Sequence, residues 1–138
     1  MTDLQAEIEQ FIDNWKDSGS NTKKAFTEIY KHLQTLTDTR LDFNARAGVS
    51  YSLRPVHAAQ DNRPLFAMVD VIDDDPEDRW LSVCFYGEMV TDPDEAGDLV
   101  PEGLLGEDGY CFDLYEYDED EVSYLKARLT QAHGNAPE

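Results

Sequence analysis

Positive charge is what this sequence has least of. Eleven Lys and Arg residues stand against 30 Asp and Glu, for a net charge of −19. That excludes a general nucleic-acid binder, whose affinity comes from cations on phosphates, and anionic membrane surfaces would repel the chain. Long apolar runs are missing too: nothing approaches the roughly 18 apolar residues that would span a bilayer. Met1–Gln5 has no cationic region leading into an apolar one, so no secretory signal is expected. Cysteine is limited to Cys84 and Cys111, which lie inside apolar runs without a metal-knuckle spacing. The expectation is two buried thiols in a cytoplasmic protein. His32, His57 and His133 fall in three unrelated contexts, and Gly-x-Ser-x-Gly, phosphate-loop and dinucleotide fingerprints are all missing. The reading therefore leans away from an enzyme and calls for no cofactor.

What is present suffices for one domain over residues 1–138, with 41% apolar residues and 11% aromatics. Leu4, Ile8, Phe11, Ile12 and Trp15 recur at helical spacing, with Thr2 and Gln5 as a capping box. A second helix starts near Thr22, capped by Ser20 or Asn21, and its inner face is Ala25, Phe26, Ile29, Tyr30, Leu33 and Leu36. The period then drops to two. Leu41, Phe43 and Ala45 alternate with polar residues, as do Val49, Tyr51 and Leu53 after Ala47-Gly48, which predicts a β-hairpin ended by Pro55. Residues 64–72, 80–86 and 110–115 read as three further strands, and a last helix begins near Asp118 with Glu121 in its cap. The expected fold is α+β: an N-terminal helical hairpin, an antiparallel sheet of about five strands, and a C-terminal helix packed on it. Residues 87–109 read as a long acidic covering loop, and 133–138 as a frayed tail.

Charge is laid out unevenly. Between Asp70 and Glu121 every charged residue but Arg79 is acidic, whereas Arg40, Arg46, Arg54, His57 and Arg63 cluster upstream. Asn44, Arg46, Ser50, Ser52 and Arg54 share one parity of the predicted hairpin. Two guanidiniums beside hydroxyls make a donor surface for a carboxylate or phosphate. Arg46, Tyr51, Arg54 and His57 are accordingly the candidate ligand residues, for an anionic small molecule or an acidic segment of a protein partner. The competing expectation is that these arginines pair with internal acids such as Asp70 or Asp113. A rival function places the acidic surface itself against a basic protein or divalent cations, with Asp92, Asp94 and Asp98 as a partial calcium loop that lacks its last carboxylate. A third reading is a small enzyme with its site between Tyr51, His57 and Cys84. Apolar residues in the long loop leave room for a homodimer.

Two amphipathic helices, the hairpin segment Ala-Gly-Val-Ser-Tyr-Ser-Leu-Arg (Ala47 to Arg54), apolar strands and a closing helix resemble the YdhG-like group of small bacterial α+β domains. The resemblance implies that fold and, for some members, iron delivery. The Gly-Met-Pro stretch of that group is absent here, and residues 87–109 stand as an addition.

Overall fold

A computed structural model describes residues 3–137. Helices α1 (Asp3–Asn14) and α2 (Thr22–Thr35) form the predicted hairpin, and α3 (Glu119–Asn135) closes the chain. Between them lie β1 (Thr39–Arg46), β2 (Ser50–His57), β3 (Met68–Ile72), β4 (Trp80–Tyr86), β5 (Asp98–Leu104) and β6 (Glu107–Leu114). They form one antiparallel sheet in the order β1-β2-β3-β4-β6-β5.

Period-two patterning gives the sheet two unlike faces. Leu53, Val69, Val71, Leu81, Val83 and Phe85 are fully buried beneath the helices. Phe11 of α1 meets Phe26 of α2 as well as Phe43 and Tyr51 on that face, and Tyr124 of α3 meets Phe112 there. All three helices therefore lie on one side. On the opposite face Met68, Asp70, Ile72, Trp80, Ser82 and Cys84 keep partial exposure.

Several expectations change. The Thr2 cap lies outside the described residues. Asn21 does stand before α2, but in a left-handed conformation and without a side-chain cap bond. Asp118 caps α3 as predicted, accepting from the Glu121 amide at 3.0 Å. Pro55 does not end β2, which runs on to His57 with Pro55 opposite Leu41. The Pro55 carbonyl accepts from the Phe66 amide, on the side away from β1. A strand residue aims its nitrogen and carbonyl the same way, so the missing N–H of Pro55 faces away from the β1 ladder and breaks no bond in it.

The segment 87–109 is not a structureless loop: β5 pairs with β6, making six strands where about five were expected. Leu105 and Gly106 join them, both at positive φ, the conformation of a two-residue hairpin turn. Over its described residues, 133–137, the tail is not frayed either. α3 continues to Asn135, whose side chain donates to the Met89 carbonyl, and Ala136 is fully buried.

Candidate functional site

Three rungs cross the helix-free face. Arg46, Ser50, Ile72 and Trp80 form one, and Asn44, Ser52, Asp70, Ser82 and Asp113 the next. The third carries Asp42 and Arg54 at one end and Met68, Cys84, Cys111 and Asp98 at the other. Arg54 Nε donates to Ser52 Oγ at 3.0 Å, and Arg46 Nη2 lies 3.5 Å from Ser50 Oγ. Their side chains shield both serines, which are 3% and 5% exposed. Among the described residues neither guanidinium makes an ion pair within 4.0 Å.

Asp70 sits on the middle rung between them. Burial raises its pKa, while the Ser52 hydroxyl and the charges of Arg54 and Arg46 pull it the other way. Its Oδ1 is shut off from solvent and has no hydrogen-bond partner. The result is a polar strip in which a partly desolvated carboxylate is flanked by two guanidiniums. A second acid reaching those guanidiniums would find donors already held in place.

Arg40 pairs with Asp42 at 3.4 Å and Lys126 with Glu28 at 3.1 Å. Arg63 pairs with Glu88 and with Glu107 at 2.8 Å, and lies over the Tyr86 ring. Arg79 pairs with Asp73 at 2.7 Å. Internal neutralisation thus accounts for Arg63 and Arg79, while Arg46 and Arg54 rest on hydroxyls.

The structure brings together only half of the predicted ligand set. Tyr51 and His57 have the opposite parity and lie on the helix side. The Tyr51 ring is 4.3 Å from Phe11, and that of His57 is 4.8 Å from His133. Asp70, offered by the sequence only as an internal partner, stands between the two arginines and competes with an incoming anion for their charge. Its signal was a lone acid inside the apolar run Met68-Val69-Asp70-Val71-Ile72.

The thiol expectation is overturned: Cys84 and Cys111 are a disulfide across directly opposed positions of β4 and β6, with Cα atoms 4.1 Å apart. With them bonded, the thiol argument for a cytoplasmic location falls. So does the enzyme site between Tyr51, His57 and Cys84, since Cys84 lies on the opposite face from the other two and carries no free thiol. The calcium-loop reading also fails on geometry. Asp92 uses both oxygens on its own turn, accepting from the amides of Ala96 and Gly97 and from the Tyr124 hydroxyl. Those bonds outweigh its desolvation and lower its pKa. Asp98 has meanwhile entered β5, opposite Cys111. Among the described residues no group of three or more His, Cys, Asp or Glu side chains is placed to hold a metal, and no helix is long and apolar enough to cross a membrane.

No protein-family model matches the chain, and neither a curated protein nor a solved structure matches it.

Proposed function

We propose that this chain is a non-catalytic binding protein whose helix-free sheet face takes an anionic ligand, or an acidic segment of a partner, through Arg46 and Arg54. One observation carries the reading: these two guanidiniums share a face, rest on serine hydroxyls rather than carboxylates, and flank the partly desolvated Asp70. Acids stand on the same face at Asp42 and Asp70, and neither guanidinium closes on one of them within 4.0 Å, which leaves both able to take an anion from outside. Two charge-assisted contacts of roughly 2 kcal/mol each correspond to a Kd of about 1 mM for a minimal anion.

Titrating the isotope-labelled protein with citrate at 0.15 M salt tests this, the salt screening the long-range repulsion of the acidic surface. The expected result is a saturable shift of the Ser50, Ser52, Arg54 and Asp70 amides. Shifts scattered over the molecule, or none up to 20-fold excess over about 1 mM, would overturn the reading.

A further inference from the structure

The two edges of the sheet are built differently. β5 contains Pro101, a register shift between Val100 and Leu104, and Glu102 at φ 57°, all of which spoil it as a template for another strand. β1 has none of these. Its eight residues pair with β2 without a break, and it is the terminal strand of the sheet. Two bonds fix the direction of its backbone groups. The Ala58 amide donates to the Asp38 carbonyl, which places the even-numbered residues of this ladder at hydrogen-bonded positions. The outward-facing carbonyl of Pro55, opposite Leu41, gives the same phase. Thr39, Leu41, Phe43 and Ala45 therefore point their N–H and C=O groups away from β2, off the edge of the sheet.

Side chains on either flank of that edge differ in chemistry. On the helix-free face β1 presents Arg40, paired with Asp42 at 3.4 Å, then Asn44 and Arg46, with Arg54 one strand behind Asp42. On the other face two clefts lie between α1 and the strand, one lined by Leu4, Ile8 and Leu41, the other by Phe11, Phe43 and Ala45 together with Glu7 and Gln10. An added strand would alternate its own side chains between these two environments. One set would meet a strip with Arg40 and Arg46 at its ends, and the other the largely apolar clefts beside α1.

We infer that the β1 edge receives an extended peptide as a seventh strand, with acidic side chains against Arg40 and Arg46 at the two ends of the strand and apolar ones entering the clefts beside α1. This rests on the anion-binding reading of the same face and names its ligand: an acidic, alternating segment of a protein partner. Main-chain bonds to Leu41, Phe43 and Ala45 would supply affinity, and the alternation would supply register.

The probe is the capped peptide Glu-Leu-Glu-Leu-Glu-Leu-Glu. Its companions are a Gln-for-Glu version, a version N-methylated at every second residue, and citrate. The peptide is expected to bind at least tenfold more tightly than citrate or either altered peptide, and to slow amide exchange at Leu41, Phe43 and Ala45. Ala45→Pro removes one outward amide from an exposed position and should raise the peptide Kd at least tenfold while leaving that for citrate unchanged. If citrate binds but the N-methylated peptide matches its parent, with no β1 protection, strand addition is wrong and the anion face survives. If neither citrate nor peptide binds, both readings fall. Protection of the β1 amides in the protein alone, with a doubled mass in solution, would give the edge to a second copy and overturn the inference.

Discussion

Arg79 and Asp73 lie 2.7 Å apart, and the Asp73 side chain is 3% exposed. Asp73 Oδ2 accepts from the Gly48 amide, which ties the β1–β2 turn to the end of β3. The Arg79 guanidinium lies over the rings of Phe11, Trp15 and Tyr51. One base thus joins the hairpin, the acidic turn 73–78 and α1.

Removing one member leaves the other as an uncompensated buried charge, a change that costs about 3–5 kcal/mol. Arg79→Met should therefore lower stability by about 3 kcal/mol, read from the urea midpoint at constant slope. A loss under about 1 kcal/mol would mean that the pair is better hydrated than its burial indicates.

The Cys84–Cys111 bond spans 27 residues. Closing a loop of that size in the unfolded chain is worth about 3.5 kcal/mol by chain entropy. The Cys84→Ser, Cys111→Ser variant should unfold at lower denaturant by about that amount, and a reducing agent should reproduce the shift in the native sequence. Insensitivity to both would show that the ladder between β4 and β6 already restrains the ends.

Asp70 gives a pH signature. Its folded pKa lies above the ordinary value of 3.8, so the folded protein holds that proton more tightly than the unfolded chain. A raised acid weakens the fold at neutral pH, and the penalty is relieved as pH falls through the raised value toward 3.8. Asp70→Asn should therefore raise the melting temperature at pH 7, lose that advantage near pH 4, and tighten citrate binding. Destabilisation at pH 7 would mean that Arg46 and Arg54 are taken up by Asp70 after all.

Much of the fold was legible because it rests on periodicity. The Ile8, Ile12 and Trp15 stripe, the inner face of α2 and the alternation around Leu53 all report a two-layer packing that any reader of the pattern would recover. Parity also placed Arg46 and Arg54 on one face, and it could have removed Tyr51 and His57, which have the other parity. Strand β5 was not legible. Asp98–Leu104 has Pro101 and Gly103 in its middle, and only pairing with β6 makes it a strand. The disulfide was hidden for a related reason: whether Cys84 faces Cys111 depends on the β4–β6 register, which the path of the intervening 87–109 segment decides. Asp73 stands among the acids of the 73–78 turn, and nothing local in the sequence reveals that Gly48 and Arg79 enclose it.

The most direct test of the central claim is calorimetric citrate binding to the Arg46→Ala, Arg54→Ala double variant, set beside its urea unfolding curve. Binding should weaken at least tenfold, while stability measured near pH 4, where Asp70 takes up its proton and no longer draws on the two arginines, stays within about 0.5 kcal/mol of the parent. Unchanged binding, or a stability loss of several kcal/mol, would contradict the account.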